Sequence, residues 1–262
     1  PELPAALPRG VDWEQVVANM LGHARNSLKK TEEALIDLGL KVTSRVEEGS
    51  VVEQIVSLAK DEPGTLVAMC THGKSGTNFW PLGSVTGRVL QAINEPLFIV
   101  RSQQPNVSSH GVRLGTIIVP LDGSEVSEEV LPYVTELAKP MGMGVLLIRV
   151  VPSVWEYFRR TDHTVLHLGD TSLEAQRQAE TYLQEVSLKL AQQGIESVEE
   201  RVLRGDPAES IIEAAQQSAN TLIAMATHGS SGVGRWSLGS VTYRVVQYSG
   251  DPLLVIRTNG RG

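Results

Sequence analysis

The residues best suited to chemistry run from Ala226 to Thr242: Ala-Thr-His-Gly-Ser-Ser-Gly-Val-Gly-Arg-Trp-Ser-Leu-Gly-Ser-Val-Thr. An apolar run from Leu222 leads in, and a helical pattern carrying Arg244, Val245 and Val246 leads out. The spacing predicts a strand, a glycine-rich turn and a helix N-terminus. Such a turn gathers backbone N–H groups and the positive end of a helix dipole at one spot. Glycine lets the backbone approach a ligand closely and adopt positive φ. Ser240 and Thr242 add hydroxyls where the helix begins. A phosphate chain suits such a cradle. Glycine-rich turns between strand and helix are common, and many hold no ligand.

The chain carries this pattern twice. Cys70-Thr-His-Gly-Lys-Ser-Gly-Thr-Asn-Phe-Trp-Pro-Leu-Gly-Ser-Val-Thr86 is the same pattern at a constant offset of 156 positions. His72 matches His228, Gly73 matches Gly229, Trp80 matches Trp236, and Gly83-Ser84-Val85-Thr86 matches Gly239-Ser240-Val241-Thr242. The match continues through Arg88 and Arg244, Pro96-Leu97 and Pro252-Leu253, and Arg101 and Arg257. An internal repeat of domain size means two copies of one fold.

The elements that must hold these turns follow from periodicity. Three prolines among the first ten residues read as loop. The first copy then predicts a helix from Trp13 to about Leu38, closed by Gly39, and an alternating strand from Leu40 to Val46. Next come a helix over Gly49–Ala59 with Ser50 and Glu53 as a capping box, and a buried strand over Thr65–Met69. After the turn come a helix from Ser84 to Ile93 and a strand, Leu97–Arg101. The second copy opens with a strand, Thr116–Pro120, then Leu121-Asp122-Gly123-Ser124 and a helix over Ser127–Lys139. A strand over Val145–Val150, a long loop over 152–170, a helix over Thr171–Gln193 and a strand over Glu196–Leu203 follow. Asp206 reads as an N-cap with Pro207 at the first helical position. The strand at Leu222, the turn, the helix from Ser240 and a last strand, Leu253–Arg257, complete it.

Strands that are continuous apolar runs, alternating with helices, belong to a parallel sheet covered on both faces. The fold class is α/β: two copies of a doubly wound, five-stranded parallel-sheet domain, Rossmann-like. In such sheets ligands sit beyond the carboxyl ends of strands, where both Asp122 and the glycine turn lie. The domain division is 1–103, a polar linker over 104–113, and 114–259. The first copy lacks an Asp122 counterpart and its first two strands, so residues preceding Pro1 are expected. Leu97–Arg101 and Leu253–Arg257 read as apolar edge strands, which are normally covered. The two copies are expected to cover each other there as a pseudo-twofold pair, with further homo-oligomer formation.

Composition narrows the function. The net charge of −7 argues against a general nucleic-acid or membrane-surface partner. One cysteine, Cys70, forms no disulfide within the chain, which fits a reducing, cytoplasmic setting. No apolar run approaches the ~20 residues of a membrane span. No carboxylate pair, nucleophile–base pair or metal cluster can be placed from sequence, so a dedicated enzyme is not expected.

These residues resemble the universal stress protein family. The second copy resembles it from Thr116 to Arg257 and the first from the long helix to Arg101. ATP-binding members carry Gly-x-x-Gly, nine residues, then Gly-Ser/Thr. Gly229 to Gly239-Ser240 and Gly73 to Gly83-Ser84 fit that spacing, whereas Ala226 and Cys70 replace the pattern's first glycine. The resemblance implies an adenine nucleotide hydrolase-like fold and binding of ATP, AMP or another adenine nucleotide, with magnesium as a companion, in a stress-response signalling module. It implies that Asp122 and its loop, with Pro120 beside it, contact ribose and adenine, and that the backbone of Val150 bonds the adenine edge. Gly229, Gly239, Ser240, Val241 and Thr242 would hold phosphates, with Ala226, His228 and Gly232 in the same turn. Gly73, Gly83, Ser84, Val85 and Thr86 would do so in the first copy. The family's last strand is its dimerisation element.

Plainer readings stand beside these. Asp122 can simply cap the following helix, and Ser240 is an N-cap on any account. His228 and His72 can bond backbone without catalysing anything. Trp236 and Trp80 read as anchors for the turn, Lys74 as surface, and Cys70 as a packed thiol. Two rival functions remain: a dimeric scaffold or chaperone-like protein that binds no nucleotide, and a weak ATPase or nucleotide-dependent enzyme of the same architecture.

Overall fold

A computed structural model describes residues 12–71, 82–101, 114–151, 168–228 and 238–258. The chain divides into two compact units, 1–58 and 59–262.

In the first unit, α1 (Trp13–Asp37) starts at Asp12, whose carboxylate accepts from the Gln15 N–H at 3.1 Å. It ends where Gly39 takes φ +83° and its N–H bonds the Ile36 carbonyl. No residue of α1 is buried, and Met20, Leu28 and Ile36 stand exposed. α2 (Val51–Asp61) begins with the Gln54 N–H on the Ser50 carbonyl and runs across the division.

The second unit is built on a seven-stranded sheet. In chain order it holds β1 (Val67–Cys70), α3 (Ser84–Ala92), β2 (Leu97–Val100), β3 (Thr116–Pro120), α4 (Glu125–Glu128), α5 (Leu131–Met141) and β4 (Gly144–Val151). Then come α6 (Leu168–Gln192), β5 (Val198–Arg204), α7 (Pro207–Gln216), β6 (Thr221–Ala226), α8 (Ser240–Tyr248) and β7 (Leu253–Ile256). The strand order is β1-β2-β7-β6-β3-β4-β5. Every neighbouring pair is parallel except β2 with β7.

Thr-Ile-Ile-Val-Pro, Thr-Leu-Ile-Ala-Met-Ala and Leu-Leu-Val-Ile are apolar because both faces of the sheet are covered. All residues of β6 and β7 are buried. α6 closes one face with Ala179, Leu183, Val186 and Leu190, spaced as one stripe of a helix. Leu183, Val186 and Leu190 join Ile117, Val119, Leu147 and Leu222 in one core cluster. Each large aliphatic side chain fully buried there contributes roughly 1.5–3 kcal/mol.

The five strands of the second copy run in the order β7-β6-β3-β4-β5, with its first strand, β3, central. β1 and β2 extend the same sheet through the antiparallel β2–β7 ladder. Leu97–Val100 and Leu253–Ile256 thus cover each other's edges.

Four sequence expectations need correction. Leu40–Val46 forms no strand. Its counterpart β5 exists by pairing with β4 from Val145↔Val198 to Val151↔Arg204, and no counterpart of β4 is present among the described residues of the first copy. The strand at Thr65–Met69 spans Val67–Cys70 and alternates between half-buried and exposed positions, one face of β1 being uncovered among the described residues. Cys70 falls on an exposed position rather than a packed one. The helix expected over Ser127–Lys139 is two helices. Ser124 caps α4 by accepting from the Ser127 N–H, and a second helix starts at Leu131-Pro132, with that proline in its first turn, where the missing N–H costs nothing.

Candidate functional site

β3 and β6 are adjacent and parallel, in the register Thr116↔Thr221 to Ile118↔Ile223. From β3 the chain goes outward to β4 and β5, then returns to the other side of β3 for β6 and β7. The carboxyl ends of β3 and β6 therefore flank the point where the winding reverses, the usual crevice of a doubly wound sheet.

At the end of β3 the Asp122 carboxylate accepts from the Ser124 N–H at 3.0 Å and from the Ser124 hydroxyl at 2.6 Å. The Ser124 hydroxyl in turn accepts from the Ser127 N–H at 3.1 Å. Asp122 is thus not the helix cap itself; it orients the cap. Gly123 takes φ +85°, a conformation that favours glycine. The Arg149 guanidinium lies against Gly123 and over the Tyr182 ring, 4.9 Å from its centroid. The Tyr182 hydroxyl donates to Glu128 at 2.9 Å. Burial and that carboxylate push the Tyr182 pKa up.

β4 outlasts β3. Their last register pair is Pro120↔Ile148, followed by the Leu121 N–H on the Ile148 carbonyl at 2.8 Å. Ile148 turns its backbone groups toward β3, so Val150, two residues on, turns its own to the same side, beyond the end of that ladder. That places a donor and an acceptor at the mouth of the crevice, next to Asp122.

At the end of β6, α8 is tied down by two bonds. The Gly239 N–H donates to the Thr227 carbonyl at 2.9 Å, and the Thr242 hydroxyl, buried, donates to the Ala226 carbonyl at 2.9 Å. A Cβ on Gly239 would stand 2.8 Å from the Thr227 carbonyl oxygen, so only glycine brings the helix start this close to the strand end. Gly239 is also the N-cap of α8, and among the described residues no side chain caps the helix. By contrast α1, α4 and α7 are capped by Asp12, Ser124 and Asp206. The first N–H groups of a helix have no partner within it. The amides of Ser240, Val241 and Thr242 therefore make an uncapped, electropositive helix start at this end of the sheet, with Ser240 itself exposed.

His228 Nδ1 lies 3.1 Å from the Thr227 hydroxyl, which also accepts from the Thr258 N–H at 3.3 Å. His228 Nε2 is buried and has no hydrogen-bond partner among the described residues.

The first copy repeats these bonds closely. The Gly83 N–H donates to the Thr71 carbonyl at 2.8 Å, the Thr86 hydroxyl to the Cys70 carbonyl at 3.0 Å, and Gly83 is again an N-cap without a side-chain bond. Ser84 and Val85 open α3 as Ser240 and Val241 open α8. Gly73, Gly229 and Gly232, with His72, Lys74, Trp80 and Trp236, lie outside the described residues. The structure therefore brings Pro120, Asp122, Val150, Ala226, His228, Gly239, Ser240, Val241 and Thr242 to one end of one sheet. Sequence reasoning did not single out Arg149. A cation in an otherwise apolar strand, Val-Leu-Leu-Ile-Arg-Val-Val, was the signal available. Among the described residues no three His, Cys, Asp or Glu side chains gather as a metal site, and no helix is long and apolar enough to cross a membrane.

A five-stranded doubly wound domain with a glycine at the start of the helix beside its switch point is a Rossmann-like α/β architecture, met here with a second copy of its last elements. The universal stress protein family model matches residues 2–101 and again 114–257, and the chain belongs to that family. It is similar to a universal stress protein of Mycolicibacterium smegmatis, 24% identical over 264 residues, covering 95% of this chain and 82% of the relative. A universal stress protein of Methanocaldococcus jannaschii is 30% identical over 151 residues, covering 54% of this chain and 81% of the relative. Among solved structures, a universal stress protein from Archaeoglobus fulgidus shares the fold at 20% identity and a TM-score of 0.66, covering 97% of this chain and 82% of that one.

Proposed function

We propose that the second copy binds an adenine nucleotide, ATP in the first instance, and works as a binding or signalling module. The observation that carries this is Gly239. The chain gives up a Cβ at the one position where it would strike the Thr227 carbonyl, and leaves the start of α8 without a side-chain cap. That combination suits an anion seated on the amides of Ser240, Val241 and Thr242. The rest of the nucleotide would extend across the switch point, with ribose near Asp122 and the adenine edge on the Val150 backbone. Gly229 and Gly232 would complete the cradle, and magnesium would arrive on the phosphates. On this reading the chain comprises a first domain over 1–103, a linker over 104–113 and a second domain over 114–259.

The first copy keeps the turn at Gly83, Ser84, Val85 and Thr86, but its described residues include no counterpart of Asp122 or Val150. A second reading, a scaffold without nucleotide, is favoured by the Thr242 and Thr86 hydroxyls. Both donate to strand carbonyls and so have a structural reason to be there.

Calorimetric titration of ATP with magnesium separates the two. Saturable binding near one site per chain, weakened by Ser240→Ala and abolished by Gly239→Val, supports the nucleotide reading. Ser240 is exposed, so its variant keeps the fold. No binding by the folded wild type supports the scaffold.

A further inference from the structure

Arg101 and Arg257 occupy equivalent positions at the ends of β2 and β7, and each reaches into the other copy. Arg101 Nη2 donates to the carbonyls of Val246, at 3.4 Å, and Gln247, at 2.5 Å, in the last turn of α8. Arg257 Nη1 donates to the carbonyls of Gln91, at 2.8 Å, and Ile93, at 3.1 Å, at the end of α3. The last carbonyls of a helix have no partner within it and carry its negative end. A guanidinium placed there satisfies them and complements the dipole. Arg101 is half-buried to do this, and its Nε is buried with no hydrogen bond among the described residues. Such a position is costly for a cation unless it answers a specific need.

The helix held by Arg101 is the one whose other end forms the candidate phosphate seat. α8 is fixed to its own copy at the N-terminus, through Gly239 and Thr242, and to the other copy at the C-terminus. We propose that Arg101 is a positioning residue for the nucleotide site of the second copy: by gripping the end of α8 it fixes the amides of Ser240, Val241 and Thr242 against the end of β6. This rests on the nucleotide reading above. The nine residues of α8 span about 14 Å, beyond the ~10 Å Debye length at 0.1 M salt. Arg101 therefore acts by holding the helix, not through its field on the phosphate. The first copy then contributes to the site of the second.

The test combines ATP–magnesium titration with amide hydrogen exchange in wild type, Arg101→Met, Arg101→Lys and Arg257→Met. Arg101→Met is expected to speed exchange within α8 and to weaken ATP about three- to tenfold, the scale of a lost helix-terminal cation. Arg101→Lys is expected to recover most of both. Arg257→Met is expected to loosen α3 and leave ATP affinity unchanged. Should Arg101→Met fail to fold, Arg101→Gln against Arg101→Lys gives the same comparison. Wild type that binds nothing overturns the nucleotide reading. Wild type that binds, with Arg101→Met binding equally well, overturns this proposal, whether or not exchange in α8 changes.

Discussion

Phe98 and Leu254 stand opposite each other in the β2–β7 ladder, and each is the other's counterpart in the sequence repeat. On either side Leu97 pairs with Val255 and Ile99 with Leu253, so a pseudo-twofold axis passes between Phe98 and Leu254. A register one residue away would have turned the apolar set of one strand to the wrong face. Leu254 is 1% exposed and belongs to the core cluster, against which Phe98 packs. Leu254→Ala should therefore destabilise the protein by about 2–5 kcal/mol, read as a lower urea midpoint. Phe98→Ala should cost less, because Phe98 is only half-buried. The double variant should fall short of the sum, since the two side chains share a contact. Full additivity would mean that the ladder joins the copies by backbone alone.

Gly239→Ala tests the closest approach in the turn. The added methyl would sit 2.8 Å from a backbone oxygen that cannot swing away. We expect a loss of about 1–3 kcal/mol in urea unfolding. The equivalent first-copy substitution, Gly83→Ala, should behave alike, because the Gly83 N–H makes the same bond to Thr71. An unchanged midpoint for Gly239→Ala would show that α8 can slide away from β6, and would remove the main argument for a rigid anion seat.

Much of this arrangement was legible because it is local. The end of β6 is marked by the apolar run to Ala226, α8 by the spacing of Thr242, Val245 and Val246, and the start of α7 by the cap chemistry of Asp206-Pro207; each depends on neighbours in sequence. Pairing across the repeat was legible because Leu97–Val100 and Leu253–Ile256 carry no charge. Leu40–Val46 misled because a strand is a property of its partner, and alternation alone does not supply one. Cys70 misled because its residue type suits a core, whereas it falls on one of the exposed positions of β1. The break at 129–130 was hidden by a helical pattern that continues through Pro132 and Pro140. Arg149 was hidden because its partners, Gly123 and Tyr182, are distant in sequence.

Asp206 should make stability depend on acid pH. Burial pushes its pKa up, but the Glu209 N–H and the Arg244 guanidinium outweigh that and hold the carboxyl below its usual value of 3.8. Arg244 Nη1 lies 2.7 Å from the Asp206 carboxylate, and the Glu209 N–H 3.0 Å. A carboxyl whose folded pKa is depressed stabilises the fold at any pH above its unfolded pKa. That contribution is lost as pH falls through the lower, folded value. Asp206→Asn keeps a good cap and removes the charge. The variant should be less stable than wild type at neutral pH, and the gap should close as pH falls below about 4. A gap that persists undiminished at pH 2.5 would mean that the amide caps the helix poorly and that the ion pair with Arg244 contributes little. Asp206→Ala, which loses cap and charge together, should cost about 1 kcal/mol or more at every pH above 4.

Gly123 separates backbone strain from crowding in the Asp122 turn. A Cβ there would meet the Arg149 guanidinium at 2.9–3.1 Å, and φ is +85°. The crowding atoms are the far end of a flexible side chain, so they can move; the backbone angle cannot relax without undoing the turn. The strain should dominate. Gly123→Ala should cost about 1 kcal/mol, and the same substitution in an Arg149→Ala background should cost nearly as much. Arg149→Ala alone should loosen the stack on Tyr182, a cation–π contact worth about 0.5–1 kcal/mol at a partly exposed site. The cycle is read by urea unfolding of all four proteins. If Arg149→Ala instead relieves most of the Gly123→Ala penalty, the turn is flexible and Arg149 is what shapes it. Asp122 would then owe its position beside the crevice to the guanidinium rather than to its own backbone.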